Sequence, residues 1–250
     1  MQVLYPRCAG LDVHKDTIVA CVRCVSAPLH HEVRSFDSTT RGLLELADWM
    51  GAHGCTHVAM EATGVYWKPV WHVLEESFEL VLANAQHIRN VPGRKTDVND
   101  AMWIADLLAH GLVRSSFVPP VAIQELRDLT RTRKQLVREI SQHGLRIQKV
   151  LEDANLKLGS VLSDVLGRSG RAMLEAIVAG ESDPQRLAEL ALGNARKKTA
   201  ELQDALHGRI TAHHRTLLKL HVNVVRALER TLAELDAAVG KALTPIRQGA

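Results

Sequence analysis

The sequence has few aromatic residues, few cysteines and no long apolar run. It has no stretch of 18 apolar residues and no signal peptide, which excludes a transmembrane helix and leads us to expect a cytoplasmic protein. Its 4 cysteines include one CxxC pair and no second one, so we expect reduced core thiols rather than a zinc site. The net charge of +3 is small for 250 residues, so any basic surface for nucleic acid must be local.

The chain is long enough for one sizeable domain and an appendage, and Pro119-Pro120 marks the predicted boundary. We predict an α/β domain over residues 1–118 and an all-α helical or coiled-coil region over 119–250. The predicted α/β order is strand, strand, strand, helix, strand, helix, strand, helix, which favours a mixed sheet with helices on its faces. The strand-like runs are 8–12, 17–22, 33–36, 57–60 and 79–83, and the helical segments are 41–50, 70–76 and 101–108.

Four carboxylates stand where predicted strands end or a predicted helix begins. Asp12 and Glu61 each end an apolar run, whereas Asp97 and Asp100 precede an apolar helical pattern and are spaced for one helical face. Two divalent metals that bridge a scissile phosphate require several convergent carboxylates, and Mg²⁺ takes oxygen ligands. The pattern therefore predicts a magnesium-dependent enzyme acting on nucleic acid.

Each carboxylate also has a simpler interpretation. Asp97 alone is typical of a helix N-cap, and Asp12 alone of a turn at the end of a strand. Glu61 is harder to explain in this way, because an acid ending a buried strand must be paired, hydrogen-bonded or metal-bound. Asp106 lies on the same predicted helix as Asp100 but is spaced for the opposite edge, so we interpret it as a solvated residue rather than a ligand.

Three motifs carry a family resemblance: Gly-Leu-Asp-Val-His-Lys from Gly10, Glu-Ala-Thr-Gly-Val-Tyr-Trp from Glu61, and Lys-Thr-Asp-Val-Asn-Asp-Ala from Lys95. In this order they resemble the DEDD transposases of the IS110 insertion-sequence family, also described as bridge-RNA-guided recombinases. The resemblance implies an RNase H-like (RuvC-like) domain, a recombinase that cuts and joins DNA, and a structured guide RNA as partner. It also implies an Mg²⁺-binding catalytic tetrad of Asp12, Glu61, Asp97 and Asp100.

The resembled recombinases continue into a C-terminal domain with a nucleophilic serine. No serine of this sequence occupies a matching motif, so we expect a chain in which that domain is truncated. Two alternatives to a transposase therefore stay open. One is a structure-selective DNA endonuclease of the RuvC type, and the other is a non-catalytic remnant that binds nucleic acid.

Basic residues near the carboxylates and in the helical region are candidates for phosphate contact, which we favour over the alternative of a merely solvated basic face. Tyr66 and Trp67 could stack on bases or pack on the sheet. In the last predicted helix, apolar residues recur at steps of three and four, as in a coiled coil or an antiparallel hairpin, and we expect a dimerisation arm. The basic candidates are Lys15, Arg89, Arg94, Lys95, Arg131, Arg133, Lys134 and Arg138, and the apolar stripe is Leu217, Leu220, Val224, Leu228, Leu232 and Leu235.

Overall fold

The structure, a computed structural model, describes residues 2–25, 29–62, 64–84, 88 and 99–248. The chain divides into two compact units, Met1–Val118 and Pro119–Ala250. Each unit has its own hydrophobic core, and each is described by itself.

The first unit is built on a mixed sheet of five strands in the order β3-β2-β1-β4-β5. β1 pairs antiparallel with β2, and β2 with β3, whereas β4 runs parallel to both β1 and β5. The strands are β1 (Arg7–Val13), β2 (Thr17–Cys24), β3 (His30–Asp37), β4 (His57–Glu61) and β5 (Glu79–Ala83).

Helices cover both faces of this sheet, as predicted. Thr39 caps α1 by accepting a hydrogen bond from the amide of Gly42, and Asn99 caps α3 by accepting one from the amide of Ala101. α1 and α2 bury their apolar faces in one core cluster, and α3 packs in two others, against β1 and β2 among other elements. The helices are α1 (Thr40–Ala52), α2 (Trp67–Leu74) and α3 (Asp100–Ala109), so the predicted order of these eight elements is confirmed within the described ranges.

The second unit is all-α, as predicted, with two long helices and several short ones between them. The core lies where the second half of α4 meets α6, α8 and the first half of α9. The elements are α4 (Val121–Asp153), α5 (Leu158–Val161), α6 (Arg168–Ala179), α7 (Pro184–Glu189), a 3₁₀ helix (Gly193–Lys198), α8 (Thr199–Ala205) and α9 (Ala212–Gln248). The sequence analysis predicted neither α5 nor the 3₁₀ helix, which are only one or two turns long.

The two long helices pack antiparallel. Arg133 contacts Asp236, His143 contacts His221 and Asp153 contacts His214, so the residue number rises along α4 as it falls along α9. Beyond the core, residues 121–143 of α4 and 226–246 of α9 contain no buried side chain, and we call this pair of segments the helical arm.

The predicted contact stripe of α9 is only partly correct: Leu217 packs against the core and Leu228, Leu232 and Leu235 are half-buried. The middle of the stripe is wrong in phase. Leu220 is 56% exposed and Val224 is 39% exposed, whereas Leu218, Val222 and Val225 are buried. The reason is that α9 is apolar on two neighbouring stripes, and the core buries the one displaced by one or two residues from the predicted stripe. A periodic pattern cannot choose between two such stripes without the partner helix.

Burial also determines the ionisation state of three of the four cysteine thiols. All four are free thiols, and burial raises the pKa of Cys8, Cys21 and Cys55 to about 12. Cys8, Cys21 and Cys55 therefore remain neutral core residues, as expected from the sequence, whereas Cys24 is half-buried. Among the residues that the structure describes, no helix is long and apolar enough to cross a membrane.

Candidate active site

Asp12 and Glu61 lie side by side where the neighbouring inner strands β1 and β4 end, at the edge of the sheet formed by the carboxyl ends of these two strands. The parallel register of β1 and β4 pairs Leu11 with Met60, and Asp12 and Glu61 are the next residues on the two strands. Paired residues of neighbouring strands point to the same face, and neighbouring strands are about 4.8 Å apart. The two carboxylates therefore share the α3 face of the sheet, and both are half-buried.

Asp12 has a polar neighbour in the turn that follows β1. Nε2 of His14 lies 3.1 Å from Oδ2 of Asp12, and a hydrogen bond from this nitrogen orients the carboxylate. The His14 side chain is 59% exposed, against 24% for Asp12. Lys15 follows in the same turn and is exposed, with its carbonyl accepting a hydrogen bond of 2.7 Å from the hydroxyl of Ser38.

The beginning of α3 brings Asp100 to the same edge. α3 runs antiparallel to β1, because Cys8 contacts the carbonyl of Ala105 whereas Gly10, further along β1, faces Ala101. A Cβ at Gly10 would lie 2.3 Å from the carbonyl oxygen of Ala101 and 2.4 Å from the amide nitrogen of Ala105. Only glycine permits this close approach, which lets α3 rest on β1 with Ala101, the residue after Asp100, against Gly10.

The donor set suits a hard divalent cation. Asp12, Glu61 and Asp100 offer only carboxylate oxygens, the ligands that Mg²⁺ prefers. Within the described part of the chain, however, no group of three or more His, Cys, Asp or Glu side chains is close enough to hold a metal ion. The fourth predicted ligand, Asp97, lies outside the described residues, as do the predicted phosphate contacts Arg89, Arg94 and Lys95.

Asp106 is not the solvated residue that the sequence analysis expected. Its Oδ1 accepts a hydrogen bond of 2.8 Å from Nε of Arg23 and lies 3.1 Å from Nε2 of His31. The Arg23 side chain is buried and that of Asp106 is 34% exposed, so this is a partly buried ion pair. The signal in the sequence was an arginine in a strand that is otherwise apolar, since a buried charge requires a partner.

Tyr66 and Trp67, the two aromatic residues that follow Glu61, differ in their surroundings. Trp67 packs in the core cluster below α1, and its ring meets that of Trp71 edge-to-face at 5.9 Å. Tyr66 is 42% exposed, in the connection that begins where β4 ends, two residues after Gly64. Packing on the sheet is therefore the role of Trp67, whereas Tyr66 remains available to a ligand.

Of the four basic candidates of α4, Arg131 and Arg133 lie next to an aspartate. Arg133 is held by Asp236 of α9 through hydrogen bonds of 2.6 Å from Nε and 3.3 Å from Nη2, and this pairing raises its pKa. Arg131 lies 3.5 Å from Asp128 on the same helix. Lys134 and Arg138 are exposed. Arg133 thus has a structural partner within its own unit, which the charge pattern of a single helix could not indicate.

A comparison with known protein families identifies the family of this chain. The family model for DEDD transposases of the IS110 type, described as "Transposase", matches residues 9–156. The chain belongs to this family. The match includes Asp12, Glu61, Asp97 and Asp100, and it extends through α4 of the transposase. A comparison with curated proteins finds no significant match.

Two solved structures of RuvC from Thermus thermophilus also resemble part of this transposase. One, described as in complex with a Holliday junction substrate, is 10% identical with a TM-score of 0.31 and covers 44% of this chain and 99% of RuvC. The other is 11% identical with a TM-score of 0.32 and covers the same shares. The predicted architecture is confirmed: a mixed sheet of five strands with helices is followed by an all-α region with long helices.

Proposed function

We propose that this chain binds DNA of an insertion sequence and its target, and that it takes part in the strand cleavage and exchange of transposition. The observation that supports this most directly is the register of β1 and β4, which sets Asp12 beside Glu61 on one face. We propose that Asp100, the first residue of α3, completes the site, so that carboxylates from three separate elements serve one metal centre, as an acidic nuclease site requires.

Asp12, Glu61, Asp97 and Asp100 are the proposed ligands for Mg²⁺. When bound, Mg²⁺ supplies a Lewis acid that stabilises charge at the scissile phosphate. The chain contributes the orientation of its carboxylates: His14 holds one oxygen of Asp12, and the close contact at Gly10 sets α3. Lys15, which is exposed, is proposed to contact a phosphate next to the scissile one, and so are Arg89, Arg94 and Lys95.

The experiment is a cleavage and strand-exchange assay on labelled donor and target DNA with Mg²⁺ and guide RNA. Asp12→Asn and Glu61→Gln keep the shape of each side chain and remove its charge. We expect both to abolish cleavage, while Asp48→Asn, an exposed position of α1, leaves it unchanged. Cleavage by Asp12→Asn at the rate of the unaltered chain would contradict the proposal. Cleavage without any strand exchange would favour a RuvC-type endonuclease.

We also propose that the helical unit binds the guide RNA and joins copies of the chain. Lys134 and Arg138 lie exposed on the helical arm, whose apolar residues are at best half-buried, including Leu228 and Leu235. A second copy packed on the helical arm would cover these half-buried apolar residues. Light scattering of the chain tests the oligomer, and a monomer at all concentrations would contradict it.

As a DNA-processing protein without a described membrane span, it is proposed to act in the cytoplasm.

A further inference from the structure

The polar contact that holds α3 to the sheet is centred on Arg23, near the end of β2. The side chain of Arg23 is buried, with 4% of the residue exposed, and its Nε donates to Oδ1 of Asp106 over 2.8 Å. Nε2 of His31, the residue paired with Arg23 in the β2–β3 register, donates to the same oxygen over 3.1 Å. One carboxylate of α3 therefore joins two neighbouring strands.

This contact is a poor source of net stability. Burying a guanidinium removes it from water, and Nη1 of Arg23 has no hydrogen-bond partner among the residues that the structure describes. Replacing a buried ion pair by apolar residues of similar volume is often neutral or even stabilising. What apolar residues could not do is fix the position of the helix. The hydrogen bonds do so, because they require Asp106 to occupy one position on the sheet.

The apolar contacts of α3 differ along the sheet. Where α3 crosses β1 and β2, the buried touching residues are small: Gly10 and Cys21 of the strands, and Ala101 and Ala105 of the helix. The large side chains of α3, Ile104, Leu107 and Leu108, pack in a separate cluster with Ala59 and Ala83, so the hydrogen bonds to Asp106 are the directional contact at the β2–β3 side. Asp106 is six residues after Asp100, which corresponds to about 9 Å along the helix. A shift at Asp106 is therefore carried to Asp100.

We propose that Arg23 is a positioning residue of the candidate active site. By binding Asp106 it sets where α3 lies on the sheet, and therefore where Asp100 lies relative to Asp12. His31 reinforces the same carboxylate from the neighbouring strand. The expected effect of Arg23 on metal binding rests on the proposed function, whereas its anchoring of α3 does not.

The first test needs no metal. The double variant Arg23→Met/Asp106→Leu replaces the pair by apolar side chains, and hydrogen exchange is measured for the amides of α3. We expect these amides to exchange about tenfold faster, because the helix has lost its anchor. The matched control is Arg171→Met, which breaks the Arg171–Glu229 pair of the helical unit and leaves α3 exchange unchanged. Unchanged α3 exchange in the double variant would overturn the proposal.

The second test separates positioning from stability. Mn²⁺ affinity is measured by electron paramagnetic resonance on the full chain, alongside the unfolding midpoint in denaturant. We expect the double variant to bind Mn²⁺ about tenfold more weakly, as for loss of residues that orient metal ligands, with a midpoint close to that of the unaltered chain. A lower midpoint with unchanged Mn²⁺ affinity would mean that Arg23 only stabilises the fold, and would overturn the proposal.

Two safeguards keep these tests decisive. If the double variant fails to fold, Arg23→Lys keeps the charge but changes the donor geometry, and the same increase in α3 exchange is expected. Normal α3 exchange in Arg23→Lys would then overturn the proposal. If the unaltered chain binds no Mn²⁺, the proposed metal site is wrong, and hydrogen exchange of α3 still decides whether Arg23 is its anchor.

Discussion

Replacing Gly10 by alanine should displace α3 from β1 and impair the site without unfolding the chain. The added Cβ would lie 2.3 Å from the carbonyl oxygen of Ala101 and 2.4 Å from the amide nitrogen of Ala105, whereas ordinary contact begins at 3.4 Å. Both contacts are to backbone atoms, so no side chain can rotate away. The helix must therefore move by about 1 Å, the gap between these contact distances and ordinary contact.

The magnitude of the effect follows from this displacement. Overpacking of this size costs about 1–3 kcal/mol of unfolding free energy. A misplacement of about 1 Å in a catalytic arrangement can lower the rate about a hundredfold, so cleavage should fall much further than the stability of the fold would explain. Asp100 lies next to Ala101, and its displacement from Asp12 is the physical reason for the loss.

The assay compares denaturant unfolding and Mg²⁺-dependent DNA cleavage for Gly10→Ala and a matched control. Gly51→Ala in the last turn of α1 is the control, since an added Cβ there meets no described atom within 4 Å. It should leave cleavage unchanged and stabilise α1 by up to about 1 kcal/mol. If Gly10→Ala cleaves DNA as fast as Gly51→Ala, α3 does not position the site, and the reasoning is refuted.

Three further outcomes are expected. Burial and the neighbouring His143 and Arg146 lower the pKa of His221 below its ordinary 6.5, so the unfolded state binds more protons and stability should fall as the pH drops below about 6.5. His221→Gln should lose most of this dependence in unfolding midpoints measured from pH 8 to pH 5, and an equal slope in both proteins would refute the assignment. Lys134→Ala should lower the salt slope of RNA affinity by about one, because one phosphate contact is lost. Tyr66→Ala should weaken binding of single-stranded DNA about tenfold and Tyr66→Phe should not, which fluorescence anisotropy can measure, and equal affinities would exclude stacking.

Much of the first unit could be predicted because its signals are local. The apolar run before Asp12 and the run before Glu61 each mark a strand end, and the parallel register of β1 and β4 then brings these two acids together. The order of elements follows from the same runs and from the apolar helical patterns that lie between and after them.

Two errors concern partners that are distant in sequence. Asp106 was interpreted as solvated because its buried partner, Arg23, lies 83 residues away. The contact stripe of α9 was misplaced because either of two apolar stripes could face α4, and only the packed structure buries Val222 and leaves Val224 exposed. Periodicity and charge patterns describe one element at a time, whereas ion pairs and packing faces depend on two.

The most direct test of the central claim, that the carboxylates at the β1–β4 edge hold a metal at the scissile phosphate, is cleavage of DNA with sulfur in place of a non-bridging scissile oxygen. Mg²⁺ binds sulfur poorly and Mn²⁺ tolerates it better. The account predicts that the modified DNA is cut slowly with Mg²⁺, is cut well with Mn²⁺, and is not cut by Asp12→Asn with either ion. Equal cleavage of modified and unmodified DNA with Mg²⁺, or cleavage by Asp12→Asn, would contradict it.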